Sequence, residues 1–395
     1  PHIVAVQLVQ LALLAGSGLL LQRLWIGLTG DARAAAWAGI LLAVNPLTIA
    51  FATYLWPEIV HLFLSLLMAW LLLCARDRDR GPAATLALAA GAGVCLGLCL
   101  LAKSLLTAFW PALALTLIRR HDARASLARV AAFALAALLV TAPALHRGWQ
   151  ETGRPQIADS SWFNLWAGLA DRYRSDLVHD QTGSRMATYL TQADDHAARV
   201  AFARGEALEI VESQGLADTI AAQLGKQYFR LFDARNFLVA QLRGPECRGY
   251  ISHYRAESAF INRAVDYAAR LWHVGLLILF ALGLATWRRW RAAWFWLVGA
   301  YVGYQLALFL GLHVKSRFLL PLLPVICAFA GHLLAQWSNF RLSRSPLSPP
   351  RRAAGIALAM LLAFLALAGP LFDDACLPAP SPSATVSPAA AAMPP

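Results

Sequence analysis

Lysine is almost missing from this chain: Lys103, Lys226 and Lys315 are the only three in 395 residues. Charge of any kind is scarce at 14% of positions, whereas 59% are hydrophobic and mean hydropathy is +0.53. So little charge excludes a soluble globular domain of this length and implies an all-α polytopic membrane protein with spans of about 20 residues. No internal repeat, G-x-G-x-x-G, Walker or H-E-x-x-H sequence is present, which leaves soluble nucleotide-binding chemistry unsupported. The six cysteines show no metal-ligand spacing. Cys74, Cys95, Cys99 and Cys327 fall inside apolar runs and read as small packing residues. There is no cleavable signal peptide, and a chain opening on Pro1 instead of Met carries the expectation of a missing N-terminus.

What charge there is sums to +12, with a pI near 9.9. A nucleic-acid partner is rejected, because the arginines sit in short clusters between apolar runs, as the positive-inside rule requires. The apolar runs cover about 3–21, 35–54, 56–75, 84–101, 104–118, 130–145, 270–287, 292–311, 317–336 and 353–371. Basic connections follow at Arg76–Arg80, at Arg119–Arg129, at Arg288–Arg291 and from Arg341 to Arg352. Counted through ten spans, all four clusters fall on one side, the cytoplasmic one. The expected organisation is a membrane bundle of about six spans over 1–145, an external domain over 146–269, a bundle of about four spans over 270–371, and an external tail over 372–395. The Pro/Ala/Ser-rich end of that tail reads as disordered. By the same parity Pro1 lies outside, so at least one more span and an external loop are expected before it.

Within the external segment, Trp162-Phe-Asn164-Leu-Trp166 reads as a membrane-interface platform. Asp194 to Phe232 has helical periodicity, its apolar stripes being either core or a face lying on the membrane plane. Cys247 and Cys376 are the two cysteines that parity places outside, where an oxidising compartment permits a disulfide; two unpaired thiols are the alternative.

Polar residues gather at the external ends of the spans. His313-Val-Lys315-Ser-Arg317 sets three potential cations on alternate residues at the mouth of an apolar run, and several charges aimed at one spot point to an anionic partner such as a phosphate-bearing lipid. Lys103 interrupts an apolar stretch, as the tip of a hairpin would, after Gly91, Gly93 and Gly97, which suit close helix approach. Glu58 opens its span behind Tyr54-Leu-Trp-Pro57. The plainer readings are snorkelling for Lys103, a helix-dipole preference for Glu58, and a satisfied interfacial side chain for His61.

These residues carry a family resemblance. Asn45-Pro46 with Tyr54 and Glu58, the glycine-rich span ending in Lys103, and Lys315-Ser-Arg317-Phe-Leu-Leu-Pro321-Leu-Leu-Pro324 resemble early, middle and late motifs of GT-C membrane glycosyltransferases over about residues 1–335. The most similar group is the dolichyl-phosphate-mannose–protein mannosyltransferase and aminoarabinose-transferase family (glycosyltransferase family 39-like) with its bacterial relatives. The resemblance implies a GT-C-like bundle of about ten spans with one external, mostly helical domain. It implies an enzyme that moves a hexosyl or pentosyl group from a polyprenyl-phosphate carrier to a glycan, lipid or protein acceptor at the external face. Its general base is an Asp or Asp–Glu pair in a first external loop, which would lie upstream of Pro1. No catalytic residue is therefore assigned, and activity of this stretch alone is not implied.

The chemistry suits the remaining residues, because fixed cations stabilise the charge that develops on a lipid-phosphate leaving group. Arg317 would bind it bidentately, with Lys315 and Lys103 as point charges and Glu58 and His313 beside them. No cofactor is expected; a divalent metal is conceivable, but the sequence offers no ligand set. Arginine over lysine and abundant alanine lean toward a bacterial inner membrane with a periplasmic active face and an undecaprenol carrier. Three alternatives stay open: a lipid-linked oligosaccharide ligase or polymerase, a transporter or flippase of an anionic lipid, and a non-catalytic relative. A transporter would show two related halves and broken helices at mid-span.

Overall fold

The computed structural model describes residues 2–77, 79–119, 122–157, 160–171, 182–193, 195–234, 259–338 and 348–373. Among them the secondary structure is helical, with no strand. Eight helices are long and apolar enough to cross a membrane, or nine segments if one bent pair counts as a span. Lipid offers no partners for backbone N–H and C=O groups, so Leu- and Ala-rich runs close their own hydrogen bonds as helices. Cys247 and Cys376, with their possible disulfide, lie outside the described residues, as does most of the tail.

Helix α1 (His2–Thr29) packs on α2 (Ala32–Ala43) and on α4 (Glu58–Ala75). Between α2 and α3 (Pro46–Thr53) the chain bends by 47°. Pro46 has no N–H for the incoming helix, and the Asn45 side chain caps the new one by accepting from the Leu47 N–H at 2.9 Å. The run expected over 35–54 is thus two helices meeting at a bend, together long and apolar enough for one span.

Helix α5 (Pro82–Ala102) returns beside α4 and packs closely on α7 (Ala123–Thr152). Gly93 permits that approach, since a Cβ there would stand 2.1 Å from the Phe133 carbonyl oxygen. The run at 104–118 differs from expectation. It forms a 3-10 turn at Ser104–Leu106 and a six-residue helix, α6 (Trp110–Leu115), instead of a continuous span. It nevertheless covers the same thickness. Lys103 reaches Glu58 at the start of α4, and the Arg119 guanidinium meets the carbonyls of Ala75 and Asp77 at its end. Eighteen helical residues separate those ends, about 27 Å at 1.5 Å per residue.

The later spans are α12 (Ala259–Thr286), α13 (Ala293–Gly311), α14 (Leu323–Ser338) and α15 (Pro349–Asp373). Helix α14 wedges between α2 and α12, so early and late spans share one apolar core that includes Leu42, Phe51, Leu277 and Phe329.

Four further helices lie between α7 and α12: α8 (Ser161–Ala170), α9 (Thr182–Thr191), α10 (His196–Gln214) and α11 (Leu216–Phe232). The aromatic stretch on α8 is core rather than an interface platform: Phe163 and Trp166 are buried against Tyr189 and Phe202. The periodic stretch ending at Phe232 is two helices, broken at Gly215, whose φ of +81° suits glycine.

Helix α11 buries an unusual number of polar side chains. Thr219, Gln223, Lys226, Gln227 and Arg230 are buried, whereas Leu216, Ile220 and Leu224, on the stripe beside them in the outer half of the helix, are exposed. Its last turns run down among the spans. Phe229 packs on Phe364, the Ala234 N–H donates to the Ala366 carbonyl at 2.9 Å, and the Tyr228 hydroxyl donates to the Leu306 carbonyl. Phe364 is nine residues from the end of α15, about 14 Å along the helix. The exposed apolar stripe on the outer half of this helix, next to the spans, suits a face lying on the membrane plane. Nitroxide labels at single cysteines replacing Leu216, Ile220 and Leu224 should therefore collide with oxygen far more than with a water-soluble nickel chelate. Preference for the chelate at all three would place this face in water.

Candidate functional site

At the Glu58 end of the bundle three charged side chains from distant segments converge. Lys103 Nζ donates to Glu58 Oε1 at 2.8 Å, and Arg317 Nε lies 3.7 Å from the same oxygen. The Glu58 side chain is 3% exposed, against 18% for Lys103 and 25% for Arg317, so the cations face outward from a buried carboxylate. The trio carries one net positive charge.

Local sequence explains each placement. Glu58 follows Pro57 at the first position of α4, where the helix dipole favours an acid. Lys103 terminates α5 in extended conformation, at φ −155° and ψ 121°. Arg317 sits on a 3-10 stretch, Ser316–Leu322, between α13 and α14. Pro321 lacks the N–H that an α-helix would need there, so α14 starts only at Leu323. The Arg317 guanidinium also lies 4.3 Å above the Trp56 ring, and Lys103 lies 4.8 Å from the Phe318 ring centroid. Lys315 stands at the extended residue before the 3-10 stretch, its carbonyl accepting from the Phe318 N–H.

His313 points elsewhere. Its Nδ1 lies 3.5 Å from Asp171 Oδ2, and Asp171 in turn pairs with Arg230. Lys226 donates to the carbonyls of Gly168 and Asp171. Gly168 is glycine because a Cβ would meet the backbone of Leu312 and His313 at 2.5–2.6 Å. The His313 N–H donates to the Asn164 carbonyl at 2.9 Å. The helices between α7 and α12 are thus fastened to the strand of chain that carries Lys315 and Arg317. Burial alone would raise the Asp171 carboxyl; the nearby His313 imidazole and the Arg230 guanidinium outweigh it and hold it at about 2. Burial keeps His313 below its ordinary value.

Three of the five residues singled out from sequence therefore meet, Lys315 stands next to them, and His313 belongs to a second cluster. Asp171, Arg230 and Trp56 went unnoticed. Trp56 neighbours Glu58 in the quoted motif, whereas Asp171 and Arg230 are 59 positions apart with no periodic cue.

Inward of the charged trio lies an apolar cavity of about 210 Å³. Its wall descends α4 from His61 through Leu62 and Ser65 to Met68 and includes Trp25, Phe109, Pro321 and Pro324. His61 and Pro321 stand one turn inward of Glu58 and Arg317. Among the described residues no group of three or more His, Cys, Asp or Glu side chains is placed to hold a metal.

No protein-family profile matches the chain, and no curated protein matches it. Among solved structures, the apo form of the oligosaccharyltransferase of Archaeoglobus fulgidus aligns at 14% identity and a TM-score of 0.37, covering 89% of this chain and 42% of that one. The chain spans less than half of that structure's length, and so loose a superposition carries no argument.

The second cluster gives a pH test. The folded carboxyl titrates at about 2, below the ordinary ~3.9, so Asp171 contributes stability above about pH 4 that is lost as pH falls toward 2. Asp171→Asn should lower unfolding stability at neutral pH by about 3 kcal/mol, because Arg230 and Lys226 stay buried without their anion. It should also flatten the melting temperature between about pH 4 and pH 3 relative to wild type. An unchanged acid limb in the variant would remove this role from Asp171.

Proposed function

We propose that this protein is a GT-C-like membrane glycosyltransferase that moves a sugar from a polyprenyl-phosphate carrier to a glycan, lipid or protein acceptor at the external face. One observation carries the reading: two cations gathered on a buried carboxylate stand above an apolar cavity within the spans. Cationic above and apolar below is the complement of an amphiphile with an anionic head. The sequence resemblance of the same residues to polyprenyl-phosphate-dependent transferases supplies the reaction class.

In that reaction the bond between the sugar C1 and the carrier phosphate breaks as an acceptor hydroxyl attacks C1. Negative charge grows on the departing phosphate oxygen. Arg317 and Lys103 stabilise it in a medium of low dielectric, where fixed charges act more strongly than in water. Lys103 and Arg317 both gather on Glu58 Oε1, and in this reading Glu58 keeps the two cations in place. Phe318 and Trp56 restrict the same side chains from the sides. Lys315, two residues from Arg317, adds positive potential at the mouth. The cluster's position at helix ends, not in mid-span, favours a transferase over a transporter.

In full-length protein, Arg317→Ala should abolish sugar transfer from a radiolabelled polyprenyl-phosphate donor without loss of expression or membrane insertion. Lys103→Ala and Lys315→Ala should each weaken it by about 1.5–3 kcal/mol, the scale of a hydrogen bond to a charged group. Normal turnover in all three would sink the lipid-phosphate assignment. The sidedness is tested separately: single cysteines on α10 should react with an impermeant maleimide from outside intact cells, and protection there would move the site to the cytoplasmic face.

A further inference from the structure

His61 is 2% exposed and lines the cavity, and its Nε2 has no hydrogen-bond partner among the described residues. Buried imidazole nitrogens are ordinarily paired, so a lone one on a residue that lines a cavity marks a place for a ligand atom. The expectation of a satisfied interfacial histidine does not hold for this atom.

Its position narrows the ligand. His61 is three residues into α4 from Glu58, about 4.5 Å along the axis. Side chains on a helix lean toward its N-terminus, and the N-terminus of α4 is the charged end. The imidazole therefore leans from the cavity toward the level of Lys103 and Arg317. Cys99, one turn before Lys103 on α5, has its thiol 4.0 Å from the His61 carbonyl and 3.5 Å from the Ser65 hydroxyl. Thus His61 lies on the α4–α5 seam that ends in the Glu58–Lys103 pair.

We infer that His61 is a further binding residue of the head-group site, donating from the cavity side to an oxygen of the lipid phosphate that Lys103 and Arg317 hold from above. This rests on the reading of the cavity as a lipid-phosphate site. A neutral donor suits the inner side of that site, because another fixed charge deeper among the spans would be costly to desolvate. Gripped from both sides, the phosphate is fixed along the axis of the cavity and its sugar is directed outward.

The test compares undecaprenyl phosphate, undecaprenol and inorganic phosphate as probes for purified full-length protein in detergent, with affinities from native mass spectrometry and thermal shift. Wild type should bind undecaprenyl phosphate well above undecaprenol, and inorganic phosphate should compete poorly. His61→Phe, which keeps the ring but not the donor, should weaken undecaprenyl phosphate by about tenfold or more and leave undecaprenol unchanged. His61→Gln, which restores a donor, should recover most of that loss; His61→Leu gives the same readout as Phe where Phe does not fold. Wild-type affinity for undecaprenyl phosphate in the variants without a donor overturns the role of His61 while leaving the phosphate site standing, as does an equal loss for undecaprenol. Equal binding of undecaprenyl phosphate and undecaprenol by wild type overturns the lipid-phosphate reading itself. Effective competition by inorganic phosphate overturns the lipid as the source of the bound group.

Discussion

A single buried carboxylate organises the charged end of this protein. Glu58 draws in Lys103 from 45 residues away and Arg317 from 259 away (317 − 58), tying the start of α4, the end of α5 and the approach to α14 into one point. None of the three side chains would sit at that depth alone, because an isolated charge near the hydrocarbon boundary carries a desolvation penalty of several kcal/mol. Together they form a net cationic surface whose geometry is set from beneath by a group that never reaches solvent. The aromatic rings of Trp56 and Phe318 limit how far the two cations can swing.

The backbone around that point is irregular for the same reason that the rest is helical. Lipid tolerates non-helical chain only where protein covers it or where it lines a cavity. The 3-10 turn after Lys103 and the 3-10 stretch around Arg317 are both covered in part by other spans: Leu106, Leu319 and Leu320 are buried, and Tyr304 and Tyr301 donate to the carbonyls of Leu105 and Pro321. The breaks in helical order and the charged cluster thus coincide, because only a broken helix can present its end, and a side chain such as Lys103 or Arg317, at the rim of a cavity.

Much of this was legible in the sequence and some was not. Apolar length and basic connections gave the spans, since both follow from composition alone. Glu58, Lys103 and Arg317 stood out because each breaks an apolar pattern, and the structure brings them together. Segment 104–118 misled as a helix: its hydrophobicity is that of a span, yet a run of Thr107, Phe109, Trp110 and Pro111 favours turns over a continuous ladder. On α11 the periodicity was right, and the stripe divides between the two readings left open: Leu216, Ile220 and Leu224 are exposed and Leu231 is core. Hydrophobic patterning marks two faces but cannot tell which one water sees when the surroundings are lipid. Asp171 escaped, and His61 was read as satisfied, because a polar residue's partner, or lack of one, is a property of the packed fold.

The crossing over 103–119 also bears on how the protein is made. A translocon releases a segment sideways when its helix is stable in lipid on its own, and this segment is not such a helix. Its short turns pair some backbone groups within the segment, and others find partners on neighbours: the Leu105 carbonyl on Tyr304 of α13, the Leu117 carbonyl on Arg129 of α7, and the Arg119 N–H on Ser126 of α7. As a span it is therefore complete only when those neighbours are present. Its contacts with α7 become available once that helix has been made, and the contact with α13 some two hundred residues later in synthesis (304 − 105). The first and last thirds of the chain are coupled during biogenesis as well as in the finished bundle.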